Sequence, residues 1–127
     1  MGAEALSFFL SFILHLSSFF PGMRLWQGHG THCAGTVGGI LSGVAKKVGL
    51  VSVKVLSDQG SGSYSGIING INWVIDQVQS TGRRGIMSLS LGGGKSNALN
   101  SAIANAVDAY DIPVIVAAGN SNNDACN

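Results

Sequence analysis

Between Val48 and Ala118 the chain switches back and forth between two periodicities, and this pattern restricts the fold more than any other feature. Val48–Leu56 (VGLVSVKVL) interleaves valines with polar residues, a strand signal. Tyr64–Gln79 then carries Ile67, Ile68, Ile71, Val74, Ile75 and Val78 at helical spacing, behind the turn-rich Gln59–Ser63. Gly85–Leu91 (GIMSLSL) predicts a second strand, closed by Gly92, Gly93 and Gly94. Ser96–Tyr110 predicts a second helix, with Ser96 as N-cap and Leu99, Ile103, Ala106, Val107 and Tyr110 as its buried stripe. Asp111-Ile112-Pro113 stops that helix, and Val114–Ala118 is a third strand running into Gly119-Asn120. Strand, helix, strand, helix, strand with short links predicts an α/β domain on a parallel sheet. Ligands of such sheets gather beyond the carboxyl ends of the strands. Gly60–Gly62, Gly92–Gly94 and Gly119-Asn120 all fall there.

A chain of 127 residues holds one domain at most. Charged residues make up only 10% and the net charge is +1, a balance that argues against disorder and against a nucleic-acid partner. The N-terminus differs in kind: Ala5–Phe20 (ALSFFLSFILHLSSFF) is almost wholly apolar. Its length suits an export signal, yet Glu4 stands where a positive charge is wanted, and no A-x-A pattern follows. A membrane-spanning helix wants about 20 apolar residues, and His15 interrupts this shorter run. An export signal, a foreign leader and a membrane anchor stay open, the anchor least favoured. Residues 1–26 are therefore set apart as an apolar leader and residues 27–127 as the folded domain. Cys33 and Cys126 match no CxxC motif; they could pair, stay free or want partners elsewhere.

The sharpest motif is Gly28-His29-Gly30-Thr31-His32-Cys33-Ala34-Gly35-Thr36. A histidine flanked by glycines can open a helix with its ring projecting into a cleft, while Gly30, Ala34 and Gly35 let that helix pack closely on a sheet. The plainer reading is a glycine-rich helix start with both histidines on the surface. Two rival chemistries can be weighed. Gly94-Lys95-Ser96 follows a strand and opens a helix, but a phosphate-binding loop needs a glycine where Leu89 stands, which argues against nucleotide. His29, His32 and Cys33 could join Cys126 or Asp124 around zinc, but the spacing falls short of HExxH and no carboxylate is evident to orient the ligands.

HGTHCAGT resembles the histidine motif of the subtilase family, in its cysteine-bearing, proteinase K-like form. The resemblance continues in order through Gly43-Val44-Ala45, Val53-Lys54-Val55-Leu56, Gly60-Ser61-Gly62, Ser88-Leu89-Ser90-Leu91-Gly92-Gly93 and Ala117-Ala118-Gly119-Asn120, covering about Gln27 to Asn127. Several ordered motifs are far more specific than one. The resemblance implies a partial subtilisin-like three-layer α/β fold and a secreted serine endopeptidase acting on polypeptides. It implies that His29 is the general base and acid of the triad, with His32 a structural neighbour. It implies that Asn120 gives the side-chain donor of the oxyanion hole. Gly60, Ser61, Gly62 and Tyr64 resemble one rim of the substrate cleft, and Ser90, Leu91 and Gly92 the other, where an extended peptide could pair with backbone edges. The family often binds calcium, but through segments outside the matched region, so no metal or other cofactor is expected in this chain.

The sequence departs from the family at two points. No aspartate precedes His29, Glu4 being the one carboxylate there, and no Gly-Thr-Ser serine motif follows. Cys126 resembles a cysteine that in some relatives pairs further downstream, while Cys33 is expected as a buried free thiol beneath His29. The expectation is thus a central piece of a protease, inactive alone, with exposed sheet edges and a half-covered core. The competing reading is a non-catalytic protein that binds peptides or a partner along a sheet edge.

Overall fold

The structure, a computed structural model, describes residues 6–10 (backbone only) and 28–124. Seven elements follow in order: β1 (Leu6–Leu10), α1 (His29–Gly38), β2 (Gly49–Val53), α2 (Tyr64–Thr81), β3 (Gly85–Leu89), α3 (Asn97–Asp108) and β4 (Val114–Val116). The strands form one parallel sheet in the order β2-β1-β3-β4. The α/β class, the parallel sheet and the helix at His29 are as the sequence implied.

The helices begin and end for local reasons. The Ser63 hydroxyl accepts from Gly66 N–H and caps α2, whose C-terminus closes on Gly82 in the left-handed region (φ 64°). Ser96 caps α3 in the same way through Leu99 N–H, as expected. The core is a cluster of α2 and β3 side chains with one residue from α3 and one from the loop after it: Ile67, Ile71, Val74, Ile75, Met87, Leu89, Ala106 and Ile112. Leu99, Ile103 and Tyr110 pack at its margin. Val107, expected in the α3 stripe, is instead 42% exposed. It lies one residue past Ala106, and about 100° of helical rotation carries it off the packed face.

Three strands are shorter than their sequence patterns. β2 stops at Val53, so Lys54–Leu56 leave the ladder, and Val55 and Leu56 lie against Gly62 in the loop beyond it. β3 stops at Leu89, and the next carbonyl, Ser90 O, meets a side chain from α1. β4 is an edge strand, with Ile115 and Val116 exposed. The larger difference is β1. Leu6–Leu10, assigned by sequence to a leader, lies between β2 and β3, in register Phe8↔Val51 and Phe8↔Met87. The 26/27 boundary itself and Cys126 lie outside the described residues. No helix among the described residues is long and apolar enough to cross a membrane.

Candidate active site

Because all four strands are parallel, their carboxyl ends open on one side, and the three glycine-bearing loops emerge there. The start of α1 lies at the same end, where His29 meets Ser90. Gly28 turns into the helix with φ 60°, a conformation that favours glycine, and its carbonyl accepts the first helical bond from His32 N–H. The next residue, His29, therefore leaves the helix at its mouth. Its ring is exposed, and Nε2 lies 2.8 Å from Ser90 O.

The first rim hangs from a turn in which Ser57 N–H bonds Ser61 O and Gly60 N–H bonds Ser57 O, with Lys54 Nζ paired to Asp58 Oδ1 at 2.9 Å across it. Gly62 is pressed against the chain: a Cβ there would stand 2.5 Å from Val55 O, so no side chain fits. Tyr64 then crosses to the second rim, its hydroxyl donating to Gly94 O at 2.6 Å.

The two rims and His29 enclose one cleft of about 520 Å³. Its walls hold every expected binding residue: Gly60, Ser61, Gly62 and Tyr64 on one side, and Ser90, Leu91 and Gly92 on the other. Asn120 is not in this cleft. It lines an adjoining hollow of about 630 Å³ that shares Ser90, Leu91, Gly92 and Gly93 as its wall. His29 and Asn120 thus flank the same short backbone stretch. Gly119, at φ 97°, makes the turn that leads into Asn120.

Sequence reasoning missed Leu56, Ile67 and Gly93 as cleft residues. Ile67 sits one turn after Ser63 and was read only as core, which its 6% exposure also supports. Apart from His29 the lining carries no ionisable group but the Tyr64 phenol, so the cleft walls hold no fixed charge.

Around His29 two expectations change. Cys33, one turn along α1, is a free thiol but only half-buried, with Sγ 3.9 Å from His29 Nε2. Gly30 and Ala34 are buried as expected, but nothing lies within 4 Å of a Cβ built on Gly35. Gly38 makes the close approach instead, since a Cβ there would meet Val48 Cγ1 at 2.7 Å. Among the described residues no three His, Cys, Asp or Glu side chains converge, so the zinc arrangement weighed for His29, His32, Cys33 and Asp124 does not form among them.

A family model described as the subtilase family matches residues 22–127. The chain belongs to that family. It is 54% identical over 101 residues to alkaline serine exoprotease A of Vibrio alginolyticus, covering 80% of this chain and 18% of that protein. It is 52% identical over 101 residues to a cuticle-degrading serine protease of Arthrobotrys oligospora, covering 80% of this chain and 24% of that one. Among solved structures, a cold adapted subtilisin-like serine proteinase superposes with a TM-score of 0.76 at 34% identity, over 97% of this chain and 49% of that one. This subtilase chain therefore spans a quarter or less of the length of these two curated relatives and about half of that solved structure. The partial subtilisin-like α/β fold and the proteinase K-like resemblance stand on these matches.

Proposed function

We propose that this chain is the histidine- and asparagine-bearing part of a secreted serine endopeptidase site, with His29 as proton carrier and Asn120 as oxyanion donor. The observation that carries the reading is the single cleft walled by His29 and both glycine-rich rims, with Asn120 on the other side of Ser90–Gly93. An uncharged, glycine-lined trough admits an extended peptide backbone, because no Cβ blocks the approach. An imidazole at its mouth suits the transfer of a proton from an attacking hydroxyl to a leaving amine, which supports this role for His29. Asn120 offers amide N–H groups to an oxygen that gains charge as the carbonyl becomes tetrahedral. A similar protein from Thermus sp., named extracellular serine proteinase and 52% identical over 100 residues, supports the secreted assignment.

Within these 127 residues no aspartate precedes His29 and no Gly-Thr-Ser segment follows it, so the chain by itself lacks the acid and the nucleophile. The purified chain will neither hydrolyse peptides nor become labelled by a serine-directed covalent inhibitor. The roles are tested by grafting residues 27–127 in place of the matching segment of an active relative. In the active graft, His29→Ala lowers kcat by about 10⁴-fold or more. Asn120→Ala lowers it by about 100- to 1000-fold, the loss known for the equivalent donor of subtilisin. A graft that keeps its rate without the imidazole overturns the assignment.

A further inference from the structure

We infer that Leu6–Leu10 is an integral strand of the folded domain, which the protein must keep, and not part of a leader that can be removed. In the sheet order β2-β1-β3-β4, β2 and β3 share no hydrogen bonds; each is bonded to β1. Adjacent strands stand about 4.8 Å apart, so taking β1 out leaves β2 and β3 about 9.5 Å apart, far beyond hydrogen-bond reach. The gap cannot close by a small shift, because α1 and α2 also contact β1 and would have to move with it. The N–H and C=O groups along the inner edges of β2 and β3 would lose their partners together.

The sequence of the strand fits this place. Leu6–Leu10 reads LSFFL, with no charge and no proline. Inner strands of parallel sheets are covered on both faces and carry such near-continuous apolar runs. Removal of this segment on export and folding as a four-stranded sheet are therefore mutually exclusive fates for one stretch of chain.

Amide hydrogen exchange on the full-length chain tests the inference without altering it. The amides of Leu6–Leu10 will exchange at rates within about tenfold of those in Gly85–Leu89, since neighbouring strands of one sheet open together. Exchange of Leu6–Leu10 at unstructured-chain rates overturns the inference, whether or not Gly85–Leu89 is protected. A second measurement reads the register. In a Cys33→Ser, Cys126→Ser background, Phe8→Cys combined with Val51→Cys joins residues that face each other across the ladder, and mild oxidation will link them within one chain. Phe8→Cys with Val53→Cys, two residues out of register, will not link. Equal behaviour of the two pairs overturns the inference.

Discussion

A carbonyl oxygen has no hydrogen to give, so the 2.8 Å contact between His29 Nε2 and Ser90 O requires the hydrogen to sit on Nε2. A general base needs the reverse, with the lone pair on the nitrogen that faces the hydroxyl and the hydrogen on the other, held by a carboxylate. The contact with Ser90 O is thus made by the tautomer opposite to the one that the role proposed for His29 requires, and a carboxylate partner at Nδ1 would favour the other. This predicts that ¹⁵N spectra of the isolated chain show the neutral His29 ring with Nε2 protonated. His29→Ala will abolish that signal, which assigns it among the 3 histidines. A neutral ring carrying its hydrogen on Nδ1 would rule out the contact with Ser90. Cys33 Sγ, at 3.9 Å from the same nitrogen, is too distant to compete strongly with the carbonyl.

At the scale of elements, α2 supplies half of the core cluster through Ile67, Ile71, Val74 and Ile75, so the stability of the domain is concentrated there. Ile71 is fully buried, and Ile71→Ala will lower unfolding stability by about 2–5 kcal/mol. Ser63→Ala, which removes the α2 cap, will cost about 1 kcal/mol. Ile40→Ala will shift the urea midpoint hardly at all, because Ile40 is 90% exposed. Similar midpoints for Ile71→Ala and Ile40→Ala would mean that α2 is not packed as described. This helix was the element most readable from sequence, since six apolar positions at helical spacing admit one face and one role. The glycine runs Gly60-Ser61-Gly62 and Gly92-Gly93-Gly94 were readable as loops at the carboxyl ends of strands, whereas their reading as cleft rims came from the family resemblance alone. What could not be read was β1. A short apolar run such as LSFFL carries no periodicity that separates a buried parallel strand from a leader, and its length within Ala5–Phe20 favoured the leader. Its pairing depends on β2 and β3, more than 35 residues away along the chain, and such long-range partners leave no local mark.

For the molecule as a whole, the balance between buried and exposed apolar groups is poor. Among the described residues nine hydrophobic side chains are buried, while nine large ones stay exposed. Ile40, Leu41 and Val44 are each at least 88% exposed, on one loop after α1, where Lys46 Nζ bonds the Ile40 and Leu41 carbonyls and so holds the loop with its apolar tips outward. Ile115 and Val116 add an open edge on β4, which can pair with another chain. Large exposed apolar patches on a small domain drive association, and a core of this size leaves little stability in reserve. The chain will accordingly self-associate at concentrations of about 10–100 μM, at which typical soluble monomers stay dispersed. Light scattering will register this as a mass that rises with concentration. Ile40→Lys with Leu41→Glu will reduce the association without changing the far-UV circular dichroism, since neither side chain belongs to the core. Ile115→Lys will reduce it further by charging the free edge. A monodisperse monomer over that concentration range, before any substitution, would show that these surfaces are covered in the native protein by something within the chain itself.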